Sequence, residues 1–173
     1  RQGRSGAVRY DGTSWQIYSE ADGLVGNSIG AGFVAANGDI WLGSKWGAAG
    51  ALQGGGVMRF DGRVWTVYAT EDGLLSDRIY DMGQTADDAI WVSTLLGLNR
   101  FSGSEWTSYL LHPDMASPAQ QKVRTLSATQ DLWIGQARYS GGAAHFDGTT
   151  WTWFDTEHGL ASEAVWEIFT SHD

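Results

Sequence analysis

Cysteine is absent from the 173 residues, which excludes disulfides and thiolate metal sites. Proline is nearly absent too, with 2 residues against 24 glycines, a balance that suits tight glycine turns rather than a disordered chain. Positive charge is scarce: eleven basic residues face twenty acidic ones, for a net charge of −9. A phosphate backbone would be repelled overall, so nucleic acid is excluded as a partner. No apolar run reaches the length of a membrane-spanning helix, and no signal peptide is visible. The chain starts "RQGRSG" without Met, which raises the expectation of a piece cut from a longer protein.

What the sequence has instead is aromatic residues in register. The stretches "YDGTSWQIYSEADGL", "FDGRVWTVYATEDGL", "FSGSEWTSYLLHPDM" and "FDGTTWTWFDTEHGL" begin at Tyr10, Phe60, Phe101 and Phe146, spacings of 50, 41 and 45 residues. A second element recurs in phase with them: "GDIWLGS" around Trp41, "DAIWVST" around Trp91 and "QDLWIGQ" around Trp133. Fixed-period self-similarity of this length marks a repeat architecture. Each unit divides into four short strands with period-two alternation, the third and fourth joined at Asp-Gly as a tight hairpin. No segment sustains a 3.6-residue period, so helices should be few. Four strands per unit is the size of a propeller blade.

The pattern of aromatic-Asp-Gly-x-x-Trp-x-x-Tyr, then Asp-Gly-Leu, Ile-Trp-hydrophobic-Gly-Ser/Thr and Gly-hydrophobic-x-Arg-Phe resembles the two-component regulator propeller repeat. The resemblance covers nearly the whole chain. It departs in the third unit, where "HPDMASPAQQ" replaces Asp-Gly-Leu, and in inserts after Trp41 and Trp133. It implies an all-β propeller serving as the periplasmic sensor region of a bacterial hybrid histidine kinase. Related repeats also occur in streptogramin-lyase-like propellers, which keeps a secreted lyase or hydrolase as the alternative. The expected layout is a partial blade at 7–18, blades at about 28–68, 77–109 and 122–154, and the first strand of a further blade at 163–169. Such an arc belongs to a seven- or eight-bladed ring, or closes one by self-association.

In an up-and-down blade, the first-to-second and third-to-fourth turns share one face of the disc. Here those turns are short, while the longer connections gather on the other face, where binding is expected. The residues there with least structural purpose are Lys45, Trp46, Arg138 and Tyr139. A flat aromatic beside a cation suits a sugar ring and its hydroxyls or carboxylate. A small molecule or saccharide is therefore the expected partner. The recurring tryptophans Trp15, Trp41, Trp65, Trp91, Trp106, Trp133 and Trp151 are expected to pack between blades.

Catalytic and metal signals are weak by comparison. "GNSIG" at Gly26 to Gly30 fits a nucleophile elbow in letters only, since it enters a strand rather than a helix. His112, His145, His158 and His172 lack metal-ligand spacing, and the Asp-Gly pairs lack the alternating ligand pattern of a calcium loop. No cofactor motif is present, and no metal or catalytic residue is assigned.

Overall fold

The computed structural model describes residues 6–25, 28–46, 55–111, 122–136 and 141–170, with Trp46 described by its backbone alone. A two-stranded pair, β1 (Ala7–Tyr10) and β2 (Trp15–Tyr18), comes first. Three four-stranded antiparallel sheets follow. The first holds β3 (Ser28–Val34), β4 (Ile40–Trp46), β5 (Val57–Phe60) and β6 (Trp65–Tyr68). The second holds β7 (Ile79–Gln84), β8 (Ile90–Thr94), β9 (Gly97–Phe101) and β10 (Trp106–Tyr109). The third holds β11 (Val123–Ala128), β12 (Leu132–Gln136), β13 (Ala143–Phe146) and β14 (Trp151–Phe154). Each sheet pairs its strands in sequence order, and the two described helices are single 3-10 turns. The chain is all-β and built of propeller blades.

The turn after each third strand spans four residues rather than two. Phe60 pairs with Trp65, and the Asp61 carboxylate accepts the backbone N–H of Arg63 (2.8 Å) and Val64 (2.9 Å). Asp11 and Asp147 make the same pair of bonds in their own turns. The glycine after each Asp has φ between 95° and 99°, where a side chain is disfavoured. Asp-Gly is thus selected by an Asp-capped turn, not by the two-residue hairpin expected from the sequence.

The core lies between blades. One cluster joins Trp41 and Val57 of the first blade to Ile79, Val92 and Phe101 of the second. Another joins Trp91 and Leu98 of the second to Val123, Ile134 and Ala144 of the third. A third joins Tyr18 to Leu42 and Met58. The middle blade is covered on both faces, and all five residues of β8 are buried in consequence. Trp91 is 1% exposed, donates from Nε1 to Thr85 Oγ1 at 3.1 Å, and meets Phe146 of the next blade edge-on. Truncating an aromatic packed so closely costs about 3–5 kcal/mol.

Trp15 departs from the expected inter-blade packing. It is 70% exposed, and among the described residues its ring partner is Tyr10, tilted against it at 4.7 Å between ring centroids. Its counterpart Trp106 packs back onto Trp41 and Tyr68 of the preceding blade, and no described blade precedes Trp15. Residues 163–170 form no strand ladder, yet they lie where a next first strand would lie. Gly142 N donates to Glu163 O (2.9 Å) as Gly56 N donates to Asp77 O (3.0 Å) two repeats earlier, and Val165 N donates to Gln136 O (2.8 Å).

Candidate functional site

Antiparallel order puts the β3–β4 and β5–β6 turns at one end of the blades and the β4–β5 and β6–β7 connections at the other. At the tight-turn end each blade builds the same three-residue set. Arg59 lies across the strands from Trp41 with its guanidinium carbon 5.6 Å from the ring centroid, and its Nε is 2.6 Å from Asp39 Oδ2. Arg100 lies over Trp91 at 5.9 Å, with Nη2 2.6 Å from Asp87 Oδ2. In the third blade His145 takes the cation's place, stacking on Trp133 at 4.5 Å with Nε2 3.0 Å from Asp131 Oδ2. Clefts of about 530 Å³ and 360 Å³ open beside these sets, one at each interface between complete blades. A feature that recurs at every interface belongs to the repeat, and these clefts follow from short turns that leave the gap between blades uncovered.

The long-connection end differs from blade to blade. Lys45, expected in the binding site, is half-buried at the end of β4, with Nζ 5.6 Å from the Tyr80 ring centroid of the next blade. Trp46 closes β4, its backbone in register with Ser28. Arg138 and Tyr139 lie outside the described residues. The fold brings two further residues to Lys45 that sequence reasoning missed. Lys122, just ahead of β11, places its Nζ 4.2 Å from the same Tyr80 ring. Only the repeat alignment could have flagged Tyr80, because its position is occupied by a different residue in every copy.

Other candidates have local partners. The Asp155 carboxylate contacts Nδ1 of His158 at 2.8 Å and accepts the backbone N–H of Glu157, shaping the loop after β14. Its pKa is lowered, first by the bond from the His158 side chain. Ser28 opens β3 and carries no helix behind it. Asp81 is different: burial raises its pKa, against the lowering effect of the N–H groups of Leu126 (2.8 Å, from the next blade) and Met82 (2.9 Å). It ties β7 to β11 directly beneath Tyr80 in the sequence.

No known family description matches the chain, and no curated protein matches it. Solved structures do. The extracellular domain of BT3049 from B. thetaiotaomicron, assigned to the hybrid two-component systems, matches with TM-score 0.69 and 19% identity over 87% of this chain. PorZ, a surface component of the type IX secretion system of Porphyromonas gingivalis, matches with TM-score 0.70 and 18% identity over 99% of it. The extracellular domain of BT4673, also from B. thetaiotaomicron, gives 0.53 and 20% over 96%. The chain spans 22%, 27% and 30% of those three chains respectively. At these identities the shared property is the fold, so this chain is a set of β-propeller blades of the kind found in those bacterial proteins.

Proposed function

We propose that the chain is a non-catalytic, ligand-sensing part of a bacterial two-component signalling protein, facing the periplasm or the cell exterior. Its ligand is a small molecule or saccharide bound at the long-connection end. The observation that carries this reading is the propeller fold shared with two extracellular domains of two-component systems. The Lys45–Tyr80 contact supports the choice of end, because it is a feature of one blade interface and not of the repeat. The similarity to PorZ favours a second reading, in which the blades serve as an interaction module of a surface assembly. A secreted lyase or hydrolase is the third.

A thermal-denaturation screen against mono- and oligosaccharides and small organic acids separates these readings. Sensing predicts a saturable rise in melting temperature with ligand recovered intact after prolonged incubation. Recovery of cleaved product in excess of the protein would establish an enzyme. No saturable ligand anywhere in the screen would favour the interaction module.

A further inference from the structure

The first strand of each complete described blade carries a register shift at an equivalent place, and β3 has a second one between Ser28 and Ile29. The shared shift falls between Ile29 and Ala31 in β3, between Ile79 and Asp81 in β7, and between Val123 and Thr125 in β11. The residues skipped by the ladder are Gly30, Tyr80 and Arg124. Bulges of this kind re-aim a side chain away from its pleat and are common beside binding sites. Trp166 holds the matching position in residues 163–170, because Val165 approaches Gly135 as Ile79 approaches Gly43. The first strands are also the ones that neighbour each other from blade to blade. The three bulge positions and Trp166 therefore follow one another from blade to blade.

Tyr80, Arg124 and Trp166 put aromatic, cation and aromatic at three of those positions, and Lys45 lies against the remaining one, Gly30. A Cβ on Gly30 would lie 2.9 Å from Cβ of Lys45, so the glycine leaves the space in which the lysine stem lies. Lys45 and Lys122 then bracket Tyr80 from the blades on either side, and the Arg124 guanidinium carbon sits 5.1 Å from the Trp166 ring centroid. Trp166 is 55% exposed. Among the described residues neither lysine is in an ion pair, whereas Arg59 and Arg100 each hold an aspartate. The neighbouring Asp81 carboxylate is occupied by two backbone N–H groups. Two ammonium groups held at one ring make the surface around Tyr80 locally positive, which attracts an anion. In a chain of net charge −9 such a gathering is against the general trend.

We infer that the bulge positions form a site for a saccharide unit bearing an oxyanion, a uronate or a sulfate ester. Lys45, Lys122 and Arg124 hold the anion, and the open face of Trp166 takes the sugar ring. This deepens the sensing proposal and rests on it. Direct charge-assisted hydrogen bonds from lysine give the carboxylate or sulfate its place, and the aromatic face selects a ring over a free ion.

Titration of the isotopically labelled full chain, followed by amide spectra, tests this with D-glucuronate, D-glucose 6-sulfate, D-glucose and sodium sulfate as probes. The expected result is saturable shifts at Tyr80, Arg124 and Trp166 with both charged sugars, and much weaker shifts with glucose or sulfate. Lys122→Gln should weaken charged-sugar binding by about tenfold, the loss of one charged hydrogen bond, while Lys122→Arg retains it. An unchanged melting temperature shows that the variants remain folded. Equal binding of glucose and glucuronate overturns the anion assignment but leaves saccharide sensing at this end intact. Sodium sulfate binding as tightly as the sulfated sugar overturns the role of the ring. Shifts confined to the tight-turn clefts, around Asn37 and Gln84, overturn both the site and the face proposed for sensing. No shift with any probe overturns the inference alone, the wider ligand screen still deciding the function.

Discussion

At the scale of single residues, the aspartates of the four-residue turns show how one side chain fixes both shape and pH response. Asp147 Oδ1 accepts the N–H of Thr150 and of Thr149, each at 2.8 Å, and the Thr149 hydroxyl. Those bonds favour the ionised carboxylate and lower its pKa from the ordinary 3.8 to about 2. Asp11 and Asp61 shift in the same direction, led by the N–H of Ser14 and Val64. A lowered folded-state pKa means that the folded chain binds fewer protons than the unfolded one in this range. The stabilisation is therefore present above the unfolded value and lost as pH falls through the folded value, from about pH 4 to about pH 2. Asp147→Asn keeps an oxygen at the Oδ1 position and removes the titration. Urea midpoints measured down this window should fall less steeply for the variant than for the parent. Parallel curves would show that the turn carboxylate contributes nothing to acid sensitivity.

At the scale of elements, the second strand of one blade and the first strand of the next are fitted by a glycine. A Cβ on Gly43 would come within 2.4 Å of Ile79 Cγ2, and one on Gly135 within 2.7 Å of Val165 Cγ1. The glycine is a socket for a branched side chain, and the same socket occurs in the first and third blades. Gly43→Ala should cost about 1–3 kcal/mol through overpacking. Ile79→Ala removes Cγ2, the atom struck first, and leaves Cβ at 2.8 Å, so the double variant relieves the clash in part. A double-mutant cycle by urea denaturation should give a double variant more stable than the sum of the single changes predicts. Strict additivity would place the strain elsewhere. The blades themselves were readable in the sequence, because Trp41, Trp91 and Trp133, and the Asp-Gly turns, recur in phase at fixed positions of the repeat. Lys45, Tyr80 and Lys122 were not readable as a group. They come from three repeats, and they meet only because β7 stands between β4 and β11. The bulge that frees Tyr80 from the ladder has no letter of its own: it falls on Gly, Tyr and Arg in turn. Trp15 misled for the opposite reason, since its motif is intact while the surface that would bury it is not among the described residues.

At the scale of the whole molecule, stability is shared among three interfaces, each between neighbouring blades. A stack held this way depends on every blade face being covered, as in other repeat proteins whose units contact only their neighbours. Two faces of the described stack are open. On the β1–β2 pair, Val8 and Ile17 are cross-strand partners, as are Tyr10 and Trp15. All four are more than half exposed and form one apolar surface. At the other end of the described chain Phe169 is 83% exposed. Further blades of a ring would cover both surfaces, and a second copy presents the same two surfaces to the first. Contiguous apolar surface beside unpaired strand edges drives association when nothing else covers it. The 173-residue chain on its own should therefore associate reversibly, with a sedimentation coefficient that rises with concentration. A Trp15→Ser, Phe169→Ser double variant removes the largest exposed ring from each surface while leaving the three inter-blade clusters untouched, and it should sediment as a monomer at concentrations where the parent does not. A parent that remains monomeric throughout, or a variant that associates as strongly, would show that these surfaces are not the ones that meet.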